Sequence, residues 1–266
     1  MGKVPHEDPS RLVASFHKSL KERTFPRGAG RLCYDADMNL FECGESDEGR
    51  GAPMDGSVLT PLGIVQTSLS VHGHRLPADE PDEIRRLPSG ARIACWDVPD
   101  GEVELLVADL HPTLPEGMQV DGCCAVLWRF TPHKKTGPVV FRARWLPGYR
   151  WSRGAPEPGE GLDAQTWSDG QCTVSVGTEA GDFLAFRAVR GQGLPQRIAD
   201  DLLETGQALV TWDDESLIVP LPALERGELC QVHFIVAWST EKAQGLSTWF
   251  AVDQDPRRIL EEAGCS

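Results

Sequence analysis

The sequence predicts an all-β, mainly antiparallel fold. It is read as two tandem, internally duplicated β-sandwich or small-barrel domains, preceded by a short N-terminal helix and hairpin. Three observations point there. Short apolar runs alternate with polar residues and are bounded by Gly, Pro and acidic turns. The segment V-H-G-H-R-L-P from Val71 to Pro77 has a counterpart in V-R-G-Q-G-L-P from Val189 to Pro195. A G-x5-W-D signature then follows each copy, from Gly90 to Asp97 and from Gly206 to Asp213. Matched order within one chain suggests a repeated unit. It continues through Leu114, Gly117, Val126 and Trp128 in one half and Leu224, Gly227, Val236 and Trp238 in the other.

On this reading residues 1–55 are an extension, 56–150 the first β repeat, 151–166 a Pro/Gly-rich linker, and 167–266 the second repeat with a short C-terminal helix. In the extension, Asp8-Pro9-Ser10 opens a helix with Leu12, Val13, Phe16 and Leu20 on one face, and residues 31–44 read as a hairpin. Asp35-x-Asp37-x-Asn39 is like the start of a calcium loop. Leu40 stands where the sharp turn needs Gly, so a polar turn is the reading.

Strands are expected at 58–71, 91–96, 102–108, 120–130 and 138–146, and again at 171–176, 182–190, 207–212, 216–221, 229–239 and 247–253. Ile198, Leu202 and Leu203 mark a helix within 195–205, with 84–87 as its weaker counterpart, and Asp255-Pro256 starts a terminal helix that ends at Gly264. Period-two alternation puts Cys230, Val232, Phe234, Val236 and Trp238 on one face of the last long strand, and Gln231, His233, Ile235, Ala237 and Ser239 on the other.

The bulk composition constrains function. A formal charge of −14 opposes wholesale wrapping by nucleic acid. Apolar runs are too short for a membrane helix, the start lacks a signal-peptide core, and a cytoplasmic protein is expected. The eight cysteines form no C-x-x-C pair, so free thiols serving as small core hydrophobes are expected. Charge is nevertheless segregated: from Gly122 to Pro156 there is no Asp or Glu, while Arg129, Lys134, Lys135, Arg142, Arg144, Arg150 and Arg153 all fall there.

Two constellations carry possible chemistry. Arg142, Arg144, Trp145, Tyr149, Arg150, Trp151 and Arg153 interleave guanidinium groups with aromatic rings, a combination suited to stacking on ligands or to protein contacts. The alternative is that this basic segment docks on the chain's own acids, with Asp200, Asp201, Glu204 or Asp213, Asp214, Glu215 as partners. His72-x-His74 would put both imidazoles toward one metal if they share a strand face, as H-x-H pairs with a nearby acid do in cupin-type sites; Glu80 or His111 would complete the set, although the acid stands further along than that pattern wants. No G-x-S-x-G elbow, phosphate loop or H-E-x-x-H helix is present. The expected function is therefore non-enzymatic: a soluble protein of assembly, adaptor or immunity type, working through contacts with another protein. No cofactor is expected. A metal-dependent enzyme using His72 and His74, and an anionic-ligand or nucleic-acid binder using residues 122–156, are the alternatives.

Overall fold

The computed structural model describes residues 45–46, 55–77, 80–146, 155–156, 161–205, 210–213, 215–240 and 245–265. All belong to one compact unit, Leu40–Ser266. The helix and hairpin expected before residue 45 lie outside the described residues.

In chain order the strands are β1 (Glu45–Ser46), β2 (Ser57–Thr60), β3 (Gly63–Val71), β4 (His74–Leu76), β5 (Glu83–Arg86), β6 (Arg92–Val98), β7 (Gly101–Asp109), β8 (Gly122–Pro132), β9 (Pro138–Trp145), β10 (Ala155–Pro156), β11 (Leu162–Ser168) and β12 (Thr173–Glu179). Helices α1 (Gly181–Val189) and α2 (Gln196–Thr205) follow, then β13 (Thr211–Trp212), β14 (Ser216–Ala223), β15 (Cys230–Ser239), α3 (Gly245–Val252) and α4 (Pro256–Ala263). The expected all-β architecture is present: two sheets, with every described strand pairing antiparallel. One sheet has the order β1-β5-β6-β7-β8-β15-β12-β11-β10, and the other β13-β14-β9-β3-β2, with β4 beside β3.

Each half of the sequence contributes strands to both sheets. The halves join edge to edge in two places, where β8 pairs β15 from Gly122↔Trp238 to Phe130↔Cys230, and where β9 pairs β14. Between the sheets one core collects Val65, Leu69 and Phe141 from the smaller sheet and Val103, Val126, Trp128, Val176 and Phe234 from the larger. Alternation along the strands explains that sorting. The residues expected on the inner face of β15 are in this core, with Trp238 partly buried against it.

The duplication is not confirmed, and the matched motifs show why. Val71–Pro77 spans the β3–β4 turn, whereas Val189–Pro195 runs from the end of α1 into the loop before α2. The first W-D pair ends β6 in the larger sheet, and Trp212 lies in β13 of the smaller one. Gly and Pro recur wherever a chain must turn, so the matches follow local backbone demands. The last match keeps its setting: Gly117 and Gly227 each close a turn at φ 81° and 77°, with Met118 N–H donating to Pro115 and Glu228 N–H to Glu225, before β8 and β15, which lie side by side.

Several elements differ from expectation: the strand expected at 58–71 is the β2–β3 hairpin, and β11 begins within the expected linker. Residues 182–190 and 247–253, read as strands, are helices α1 and α3, and 84–87, read as weakly helical, belongs to β5. In α1 the buried positions are Leu184, Arg187 and Ala188. In α3 they are Ser247, Thr248, Ala251 and Val252, again at helical spacing. Apolar runs this short satisfy either period, and tertiary packing decides. The consequence is large for β15, whose second face is covered: Ile235 and Ala237 pack with Ala251, Val252, Ile259, Leu260 and Ala263 of α3 and α4. Helix α4 has the expected ends, with the Asp255 side chain accepting from the Arg258 N–H and Gly264 closing the helix at φ 82°.

At the junction Gly122 lies under the ring of Trp238, where an added Cβ would come within 2.1 Å of the indole. We expect Gly122→Ala to lower unfolding stability by about 1–3 kcal/mol through overpacking. Urea denaturation checks this; an unchanged midpoint would show that the indole moves aside freely.

Candidate functional site

Strand alternation separates the arginines from the tryptophan in the segment singled out by sequence. Phe141, Ala143 and Trp145 point into the core, and Trp145 packs its ring 4.0 Å from that of Trp167. Arg142 and Arg144 point the other way, onto the outer face of the smaller sheet. Arg142 and Arg144 therefore share no face with Trp145. Trp145 is a core residue. Tyr149, Arg150, Trp151 and Arg153 lie outside the described residues.

Register defines what surrounds the two arginines. Gln66, Arg144 and Ser216 form one cross-strand row over β3, β9 and β14; Ser68, Arg142 and Ile218 form the next; Ser70, Val140 and Pro220 the third. Ser216 is buried, but the other eight remain partly or fully exposed. Arg75 on β4 reaches Gln66, its Nη1 donating to Oε1 at 3.4 Å. The opposite side of the molecule is different, since α3 and α4 close the outer face of the larger sheet.

The cations of the basic segment meet acids from elsewhere in the chain. Arg129 donates to Glu104 at 2.9 Å. Lys134 lies 3.1 Å from Asp100 and Lys135 2.6 Å from Glu225. Arg142 sits 3.6 Å from Asp213, and the Arg144 Nε donates to Glu215 at 3.1 Å. Asp213 also accepts from the Glu215 N–H and the Ser216 hydroxyl, which fixes the β13–β14 turn beneath the arginines. Burial opposes ionisation of Asp213, but these hydrogen bonds and Arg142 outweigh it, and its pKa is held below the ordinary value. Of the acids named from sequence, Asp213 and Glu215 meet Arg142 and Arg144.

The His72/His74 pair is not assembled into a site. β3 ends at Val71 and β4 begins at His74, so a turn reverses the chain between the two imidazoles. His72 itself adopts φ 52°, and its Nε2 accepts a hydrogen bond from the Gly137 N–H at 2.8 Å. Shared-face spacing requires a continuing strand, which is absent here. His111 stands apart beside α4, its N–H donating to Glu262 at 2.8 Å, and Glu80 is exposed on another segment. Among the described residues no group of three or more His, Cys, Asp or Glu side chains is placed to hold a metal ion.

The described thiols, at 95, 123, 124, 172, 230 and 265, are all free. Burial pushes Cys95, Cys172 and Cys265 up to about 11 and Cys124 up to about 12, so they remain protonated and poorly nucleophilic near neutrality. Cys230 lies in the core and His233 on the other face of β15, as period two requires.

Sequence reading missed one polar cluster. The buried Glu179 of β12 and Arg187 of α1 form an ion pair, and Arg187 also donates to the backbone oxygens of Gln192 and Gln231 at 3.0 Å each. His233 is buried beside them, its Nδ1 3.8 Å from Glu179. His233 is far from the other two in sequence, and reading 182–190 as a strand removed the helical geometry that turns Arg187 back onto Glu179, eight residues before it.

No family model matches the chain, and no curated protein matches it. Similarity to solved structures is remote. A protein described as a kojibiose phosphorylase from human microbiome is 10% identical with a TM-score of 0.44, over 74% of this chain and 26% of that one. A polysaccharide lyase is 11% identical with a TM-score of 0.31, over 67% of this chain and 26% of its own. The chain spans about a quarter of the length of either.

The inward and outward sides of β9 should differ sharply on truncation. Trp145→Ala should cost about 3–5 kcal/mol through the cavity it leaves. Arg144→Ala should cost less than about 1 kcal/mol, as expected for an exposed ion pair. Paired chemical denaturation curves check both, and comparable losses would contradict the assignment of faces.

Proposed function

We propose that the chain is a non-enzymatic binding protein that engages another protein through the outer face of its smaller sheet. One observation carries this reading: β3, β9 and β14 present Gln66, Ser68, Ser70, Arg142, Arg144 and Ile218 side by side on a regular, partly exposed sheet surface. Such a surface offers hydrogen-bonding side chains with modest apolar area, the composition of a typical non-obligate interface.

Charge favours a protein over a nucleic acid. Arg142 and Arg144 are matched by Asp213 and Glu215, so a phosphate backbone would have to displace carboxylates to reach them. The cytoplasmic setting expected from sequence belongs to the same proposal. No described helix is long and apolar enough to cross a membrane.

A photo-crosslinking amino acid at Ser68, compared with one at the exposed Glu116, tests the proposal in extract of the native cell. An adduct of defined mass is expected at Ser68 only, reduced about tenfold when Arg142→Glu and Arg144→Glu are combined, in line with the loss of interface anchors. Equal labelling at both positions, or an adduct digested by nuclease, would overturn it.

A further inference from the structure

The imidazole of His233 occupies a position that constrains both of its nitrogens. Nε2 lies 3.1 Å from the Gln254 carbonyl oxygen in the connection between α3 and α4. A carbonyl only accepts, so Nε2 carries the hydrogen and Nδ1 presents a lone pair. Nδ1 is buried with no hydrogen-bond partner, and the nearest acceptor-only group, the Glu179 carboxylate, stands 3.8 Å away. That carboxylate is already engaged by Arg187.

Arg187 in turn holds a piece of the fold in place. Beyond Gly177, the last residue of β12 paired with β15, the space beside Gln231 is taken by the loop between α1 and α2. There the Gln231 N–H donates to the Gly193 oxygen at 2.7 Å, while Arg187 bridges the Gln192 and Gln231 oxygens. Gly193 has no Cβ to obstruct this; an added one would stand 3.0 Å from Arg187 Nη2. Through this strap Leu184 and Ala188 of α1, Leu194 of the loop and Ile198 of α2 are seated on the core between the sheets.

We propose that Glu179, Arg187 and His233 form an acid-released latch, which seats the α1–α2 pair while His233 is neutral and frees it when His233 takes up a proton. The charged groups facing His233 are Glu179 from β12, Arg187 from α1 and Asp255 from the α3–α4 connection. Asp255 is exposed and caps α4, so its charge is screened by water. Glu179 and Arg187 cancel each other. A protonated His233 therefore adds a net buried cation, and it competes with Arg187 for the single carboxylate. Burial is the largest influence on His233 and lowers its pKa below the ordinary imidazole value of 6.5, in the direction this geometry requires.

The sign follows from linkage. The latch requires that opening return His233 toward its ordinary value while the closed form resists the proton; the closed form is then fully favoured above pH 6.5 and loses ground as pH falls below it. Hydrogen exchange of the full chain at constant ionic strength, corrected for intrinsic rates, reads this directly between pH 7.5 and 5.5. Amides of α1 and α2 should lose protection, approaching about tenfold per pH unit below 6.5 as one proton is taken up on opening. Amides of β7 and β8 should not change. In His233→Gln the dependence should vanish, and a variant that keeps it would overturn the latch, as would flat protection in the natural chain. Should that variant fail to fold, titration of the His233 ring by NMR in the natural chain decides, since a midpoint at or above 6.5 contradicts the proposal.

Discussion

The pairing of β8 with β15 is the constraint on which the rest of the architecture depends. These strands come from opposite halves of the chain, yet they are the middle of the larger sheet and share nine consecutive register positions. Their inner side chains, Cys124, Val126, Trp128 and Phe130 with Cys230, Val232, Phe234 and Val236, form the floor of the core. Trp128 ties that floor to the smaller sheet, its Nε1 donating to the buried Thr67 hydroxyl at 2.9 Å and its ring stacked on Trp96. The smaller sheet repeats the arrangement through β9 and β14. A sheet whose central ladder joins two distant halves gains its packing only when both halves are in place.

Much of this was legible in the sequence. Alternation in β7, β8, β9, β14 and β15 gives their positions and their inward faces, and the separation of Cys230 from His233 follows from the same rule. What sequence could not supply was pairing partners. A strand's period says which residues point together, not which strand lies alongside. The similarity between Val126–Trp128 and Val236–Trp238 was visible, but it reads equally well as two copies in two domains or as two strands side by side.

The helical misassignments have a related origin. S-T-W-F-A-V is rich in β-branched and aromatic residues, and local propensity favours a strand. In the folded chain the outer surfaces of β12 and β15 already present Ser175, Gly177, Ile235 and Ala237, and a helix laid on them buries Ala251 and Val252. Thr248 joins Ser175 by a hydroxyl contact of 2.8 Å. Of the candidate site, Arg142 and Arg144 stand out in the sequence as part of a basic segment free of Asp and Glu. Their separation from Trp145 was implicit in the expected strand 138–146. The Glu179–Arg187–His233 cluster was beyond sequence reach, because it needs α1, β12 and β15 together.

The central claim is that the two halves of the chain form one cooperative unit through β8 and β15. Hydrogen exchange across a urea series tests it most directly, comparing amides of β7, in the first half, with amides of β12, in the second. Both strands flank the central pair. The account predicts that they exchange through the same global opening, with one free energy and one urea dependence. Loss of protection in one strand at a urea concentration where the other stays protected would contradict it.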